Sequence, residues 1–503
     1  MASERNDDDT TQVSSMDRRS AVKGALAAAG ALGLGSLSPS GLRAQSSAGA
    51  SLPTAGATLT LTRFLNTTAY VDLPALAVEH AKMILASTLS SAAVGITMDS
   101  ARIQRDLALD QGGKAESTVW FHGTKLPAVL AARVNAAASD AAASDDSDMR
   151  NIAHFGTTLT AAGLALGERT RASGRDLLLA MVIGYEAGGR ICDARAGGRP
   201  GLHASQLVAF ASAAVSAKLL KLGDEKMAHS LGIIATTVGG LGAGTDSWAR
   251  EYMGANAAFT GVQAALSAER GFTVNEDMID GRGGFIDVFG GGAPSIGRLT
   301  ADLGASWNID DYLAIKLWPG AHPLSGMVES AFTAARDGNV EPSDVAQILV
   351  AGPSVSTMFG SRRPKDHVEA IHSMPYFVAS AIADRTFTWV HATPDKIFDP
   401  TVQGLMVLVD PDPSPPAVQT RWPWAGTVTI VTKSGGRITR TVDAPRGSAP
   451  RGIEWKDVEA KYRELMPESR LPAERLEEIL ATIRTLENVD DVSKLTRMLV
   501  PRR

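Results

Sequence analysis

Apolar residues recur at helical spacing through most of the first two thirds of the chain. Over residues 74–130, Ala77, Ala81, Ile84, Leu85, Thr88 and Leu89 fall on one face, the spacing of a helix that buries a stripe. The pattern returns over residues 157–167, 174–191, 205–222, 226–238 and 256–268, with Gly223 and Gly271 where helix stops are expected. A polar, acidic interruption at residues 139–151 breaks the series. After about Met327 the character changes. Residues 348–350, 405–409, 427–432 and 437–442 read as strands, and Ser434-Gly435-Gly436 joins the last two as a hairpin. The Pro-rich run 410–416 reads as a loop, and helical patterns resume at 455–465, 472–486 and, amphipathically, 486–499. The predicted class is mainly α: a large all-helical domain over 71–326, a smaller α+β lid domain over 327–470, and C-terminal helices over 471–503 that pack back on the helical body.

Length and composition narrow this picture. The 503 residues, 44% hydrophobic and 20% charged, support a large core and exceed one ordinary domain. A net charge of −5 argues against a general nucleic-acid-binding role. Cys192 is the only cysteine, which rules out an intramolecular disulfide and leaves no thiolate set for an iron–sulfur cluster. No HExxH or paired CxxC is present, so neither a metal nor another cofactor is expected. Cys192 itself reads as buried packing. Near the start, Asp17-Arg18-Arg19-Ser20-Ala21-Val22-Lys23 precedes a short apolar run, and Leu42-Arg43-Ala44 offers a small-residue cleavage point before Gln45. Residues 1–44 therefore read as a twin-arginine export signal and 45–70 as a linker. The apolar run is too short to span a bilayer. The expectation is a protein that passes the twin-arginine translocase folded and acts in the periplasm without a stable membrane anchor.

Three segments carry the chemistry: residues 174–190, 201–218 and 316–326. Gly174-x-Asp176-Leu-Leu-Leu-Ala180 leading to Gly184-Tyr185-Glu186, Gly201-Leu202-His203 before an Ala-rich helix, and Gly271-Phe272-Thr273 followed by Gly281-Arg282-Gly283-Gly284-Phe285 occur in that order. Ser373-Met374-Pro375-Tyr376 with Ala379 follows them. Together they resemble the MmgE/PrpD family, which includes 2-methylcitrate dehydratases, cis-aconitate decarboxylases and some epimerases, over residues 73–499. The resemblance implies a large helical domain, a smaller α+β lid and a homodimer.

It also implies where the site lies. The family's D-x-D-D-T motif reads Ala143-Ser144-Asp145-Asp146-Ser147 here, without the leading acid, and His154 follows it. His203 matches the G-F-H histidine. The K-x-x-H-x-G motif reads Ala249-Arg250-Glu251-Tyr252-Met253-Gly254, with Arg250 beside the lost lysine. Lys316 fits the next lysine, His322 stands near it, and Tyr376 matches a lid tyrosine. His154, His203, Lys316 and Tyr376 are thus the expected catalytic residues, and Arg250, His322, Asp145, Asp146 and Ser147 the expected substrate contacts. By residue type alone, Asp145, Asp146 and Asp148 read equally well as a solvated charge run. Removing a proton beside a carboxylate and protonating a poor leaving group calls for positioned acid and base groups, for which His suits neutral pH. Arg250 and Lys316 would hold carboxylate and enolate charge. The expected function is a cofactor-independent lyase acting on a small di- or tricarboxylate, dehydratase-like with His acid/base chemistry. The alternatives are an epimerase/isomerase or decarboxylase of a related acid, and a non-catalytic periplasmic carboxylate-binding protein.

Overall fold

The computed structural model describes residues 56–197, 201–417 and 421–501. The expected export signal and the first part of the expected linker lie outside them. The rest of that linker is helical: α1 spans Ala57–Thr67, and Thr58, Leu61, Thr62 and Leu65 return every three or four residues and are buried. Lys218 holds its C-terminal end, with Nζ donating to the carbonyls of Leu65, Asn66 and Thr68 at 2.7–2.9 Å. These are the carbonyls a helix end leaves without partners.

The body is built round α2 (Ala75–Gly95), which is apolar on every side and buried from Ala77 onward except at Glu79, the property of a central rather than a surface helix. Helices α3 (Asp99–Gln111), α4 (Ala128–Ala141), α5 (Phe155–Thr170), α6 (Gly174–Arg195), α7 (Ser205–Leu219), α8 (Asp224–Thr237) and α9 (Ala249–Glu269) share one apolar core with it. A short ribbon, β1 (Ser117–Thr118) with β2 (Lys125–Leu126), links α3 to α4. Small residues set the helix spacing. A Cβ on Gly95 would overlap the carbonyl oxygen of Ala138, so α2 and α4 touch backbone to backbone. The start of α6 is fixed by reciprocal bonds: Ser173 Oγ accepts from Asp176 N (3.1 Å) and Asp176 Oδ2 from Ser173 N (3.0 Å).

A second apolar core gathers residues from Trp318 to Ile430. Its sheet has the order β6 (Val409–Pro411), β5 (Val345–Ala351), β7 (Gly426–Thr432), β8 (Arg437–Val442); β5 and β6 are parallel and the other pairs antiparallel. Val428 and Ile430 enter this core. The alternate residues Thr427 and Thr429 pair across the sheet with Thr441 and Thr439 (2.9 and 2.8 Å), the period-two pattern of a strand buried on one face. Helices α10 (Ser325–Asp337) and α11 (Met374–Ala383) cover the apolar side.

Three local expectations are corrected. Residues 405–409 are not one strand; α12 (Pro400–Met406) takes the first two, because Asp399 accepts from the N–H groups of Thr401 and Val402 and Pro400 opens the helix. The 486–499 segment holds only a short turn and α15 (Ser493–Met498). Helix α13 (Trp455–Leu465) sends Val458 and Tyr462 into the large core with α14 (Ala473–Arg484), not into the small one. Among the described residues no single helix is long and apolar enough to cross a membrane.

The α2–α4 contact gives a direct test. Gly95→Ala should lower unfolding stability by about 1–3 kcal/mol, the usual cost of overpacking, read as a lower denaturant midpoint with unchanged slope.

Candidate active site

The acidic interruption is not a solvated loop. Residues 146–148 form β3 (Asp146–Asp148), wholly buried and paired antiparallel with β4 (Leu313–Ile315) in the register Asp146↔Ile315 and Asp148↔Leu313. The pairing extends beyond the strands: Lys316 N donates to Asp145 O (3.1 Å) and Gly320 N to Ala143 O (2.8 Å). Each carboxylate has an assigned partner. Asp145 accepts from Lys316 Nζ and Thr157 Oγ1, both at 2.8 Å. Asp146 Oδ1 accepts from Gly156 N at 2.9 Å, and Asp148 accepts the Arg150 guanidinium in a two-pronged bond at 3.0 and 2.6 Å. Burial opposes ionisation of Asp145, but His154 in its protonated form, together with Lys316, outweighs it and holds the carboxyl well below the usual range. Burial, with Asp145 alongside, pushes Asp146 well above the usual carboxylate range.

Beside this segment lies a cavity of about 200 Å³ whose wall includes His154, His203, Arg250, Lys316, His322 and His372. Two of the imidazoles are held in defined tautomers. His154 Nδ1 meets the Asp146 carbonyl at 2.6 Å, with Ser147 Oγ at 3.3 Å and Asp145 Oδ2 at 3.5 Å. A carbonyl only accepts, so Nδ1 carries the hydrogen and Nε2 keeps a free lone pair. His203 is the reverse: its Nδ1 accepts the N–H of Ser205 at 3.2 Å, which leaves Nε2 as the hydrogen-bearing nitrogen. Burial lowers the basicity of all four rings. His203 falls to about 4, helped by Arg250, and His372 to about 3; His154 and His322 are also lowered. The site therefore presents neutral imidazoles: His154 as a base and His203 as a hydrogen-bond donor. His203 is not the strong acid an acid/base pair would need.

The two cations differ in kind. Lys316 Nζ is 2.8 Å from Asp145 Oδ1. Arg250 is buried, donates from Nη2 only to the Asp140 carbonyl (3.1 Å), stands 3.6 Å from Glu251, and has no partner at Nε. Burial works against its charge, but Asp140 and Glu251 keep it protonated. A buried guanidinium with donors to spare suits recognition of a carboxylate. Asp140, Asp145 and His154 each bring one ligand atom within 4.8 Å of the others, the spacing of a cation site. Lys316 and Arg250 already stand on the wall beside this cluster.

His154, His203, Arg250, Lys316 and His322 thus converge, as the sequence placed them. Asp145, Asp146 and Ser147 do not reach the cavity wall; they stand behind it and fix Lys316 and His154. Tyr376 is not at the site. Ser373 caps α11 by accepting from Tyr376 N (3.2 Å), which turns the tyrosine into the small core, where its hydroxyl donates to the His391 carbonyl. His372, one residue before that cap, reaches the cavity instead. Sequence reasoning missed His372, Asp140 and Lys461. The signal for His372 was its place beside the Ser373-Met374-Pro375-Tyr376 motif. Lys461 carried none: it comes from α13, is buried, and donates to Ser87 Oγ (2.7 Å) and to the carbonyls of Ser144 and Asp145. Cys192 is buried, and burial pushes its thiol up to about 12, which leaves it unreactive.

A helical body and a sheet-containing second part thus flank a cavity lined by four imidazoles and two basic side chains, an arrangement suited to anionic organic acids. The MmgE/PrpD N-terminal domain matches residues 59–296 and the MmgE/PrpD C-terminal domain residues 318–488, and the chain belongs to the MmgE/PrpD family. It is similar to the cis-aconitate decarboxylase of Homo sapiens, 26% identical over 437 residues that cover 84% of this chain and 90% of that one. It is 27% identical to the cis-aconitate decarboxylase of Mus musculus over 403 residues, 76% of this chain and 81% of the other. The cis-aconitate decarboxylase of Aspergillus terreus (strain NIH 2624 / FGSC A1156) is 26% identical over 475 residues, 88% and 96% of the two chains.

Lys316 is the joint between the two halves of the site. Lys316→Met should strand the buried Asp145 charge and cost about 3–5 kcal/mol of stability, measurable by denaturant unfolding; a loss below about 1 kcal/mol would mean the pair is not formed.

Proposed function

We propose that the chain is a lyase acting on a small di- or tricarboxylate, with His154 as its base. The observation that carries the reading is the pair of opposed tautomers on one cavity wall: a free lone pair on His154 and an N–H on His203, beside Arg250 and Lys316. The first choice of reaction is dehydration. His154 Nε2 takes the proton from the carbon beside a carboxylate, and the C–H electrons move into the enediolate. Lys316 and Arg250 hold its charge, and His203 Nε2–H bonds the same anion as a neutral donor. The double bond then forms as the C–O bond breaks, and the His154 imidazolium gives its proton to the departing hydroxyl. Water leaves and the ring returns to its starting state, so one histidine serves as base and then as acid.

The names of the relatives favour a second reading, decarboxylation of an unsaturated acid. That reaction needs no base at the start. It needs a proton for the carbanion left when carbon dioxide departs, so it draws on the imidazolium. The lowered basicity of His154 supplies the base form near neutral pH and favours dehydration.

Purified protein incubated with malate, citramalate, citrate, 2-methylcitrate and cis-aconitate, followed by NMR, should form an alkene from a hydroxy acid without release of carbon dioxide. Release of carbon dioxide from cis-aconitate would install the second reading. No turnover across the panel, with binding retained, would leave a carboxylate-binding protein.

The pH dependence separates the two chemistries. For dehydration, kcat/KM rises as His154 loses its proton, with a midpoint below about 6.5 because burial lowers it. For decarboxylation the rate falls over that same range. His154→Gln should reduce kcat by about 100-fold or more and remove that limb from the profile.

A further inference from the structure

The charges around the cavity carry a conclusion about the substrate. The wall offers two permanent cations, Lys316 and Arg250. Each has a carboxylate near it and donors left over. Asp145 lies on Lys316 at 2.8 Å. Asp140 is the carboxylate that does most to hold the charge of Arg250. Asp140 is buried, its Oδ2 has no partner, and it is within 4.8 Å of His154. It belongs to the last turn of α4, and Ala143 N donates to its carbonyl, so this acid sits three residues before the position where the D-x-D-D-T pattern begins. The four imidazoles add no charge, since burial keeps them neutral. Burial also weakens the charges of the neighbouring groups: it lifts Glu251 to about 7, lowers Lys461 to about 7 and raises Asp146. Where the K-x-x-H-x-G pattern places a lysine, Ala249 stands, and it faces a separate surface pocket beside Trp248 and Tyr252.

We infer that the site is matched to a dicarboxylate: Lys316 and Arg250 each take one carboxylate, and the charge of Asp140, with no third Lys or Arg among the described residues of the wall, disfavours a third. This rests on the reading of the cavity as a carboxylate site and narrows its substrate class. Asp140 is a specificity-determining residue that acts through charge. It donates nothing to the substrate; like-charge repulsion across a few ångströms of buried, low-dielectric space sets the preference.

The test is calorimetric, on the full chain at pH 7.5, with citramalate as the probe carrying two carboxylates and citrate as the probe carrying three. Citramalate should bind at least about tenfold more tightly than citrate. Asp140→Asn, which keeps shape and removes charge, should narrow that gap by about tenfold by improving citrate. If the asparagine variant does not fold, Asp140→Ser at the same helical position gives the same reading. Tighter binding of citrate by the unaltered protein overturns the inference, as does a citramalate-to-citrate affinity ratio in the variant that stays within about twofold of the unaltered protein's. Turnover of citrate with that reversed preference would overturn the charge argument alone and leave the lyase reading standing. Failure of both probes to bind would overturn the two together.

Discussion

Everything at the site depends on keeping one ionised carboxylate, Asp145, inside the protein. An isolated buried charge costs several kcal/mol or more unless it is paired and hydrogen-bonded. Asp145 meets that demand with Lys316 Nζ and Thr157 Oγ1, drawn from elements on either side of a gap of some hundred and seventy residues. The pairing of β3 with β4 brings Lys316 to it. The same strand turns the Asp146 carbonyl toward His154 and so chooses the ring's tautomer. A requirement of solvation thus becomes a device for orientation: the backbone that buries the charge also aims the base.

Burial then does a second job. Neutral imidazoles cost less to hold in a cavity than imidazolium ions, and a base is useful only while it is unprotonated. The enclosure that lowers His154, His203, His322 and His372 therefore favours the unprotonated form of the proposed base near neutral pH. It also divides labour between rings of one chemical type. His203 is tied at Nδ1 by a backbone N–H and serves as a donor; His154 is tied at Nδ1 by a carbonyl and serves as an acceptor. The difference lies in which backbone group each ring meets.

Much of this was legible in the chain. Apolar spacing marked the long helices because a helix packed on a large core repeats its buried face. The change to period two marked β5, β7 and β8 for the matching reason. Five of the site residues were found through motif order. What was not legible depends on contacts between distant segments. Three aspartates within four residues read as solvated until Lys316, Gly156 and Arg150 are seen to pair with them. Tyr376 and His372 are four residues apart, and only the cap at Ser373 decides which of them enters the cavity. Asp399-Pro400 is a strong helix start, and it outweighed the β-branched residues that made 405–409 resemble a strand. Lys461 lies more than three hundred residues from the carbonyls it binds, and nothing local distinguishes it from the other lysines of an amphipathic helix.

The two departures from the family pattern, Ala143 and Ala249, look at first like the loss of a working site. The surrounding electrostatics argue otherwise. Position 143 has a left-handed backbone (φ 48°) and packs in the small core, while an acid three residues earlier, Asp140, stands in the buried cluster. Position 249 faces away from the cavity, while its neighbour Arg250 faces in. A carboxylate thus stands three residues before Ala143 and a guanidinium one residue after Ala249. A protein kept only to hold an anion would need the cations. It would gain nothing from an unpartnered lone pair on a tautomer-fixed histidine, or from a buried aspartate set near it, because both add cost and neither attracts a carboxylate. That these costly groups remain together, with His154 on the cavity wall and Asp140 buried beside it, is what favours a site that moves protons over one that merely binds.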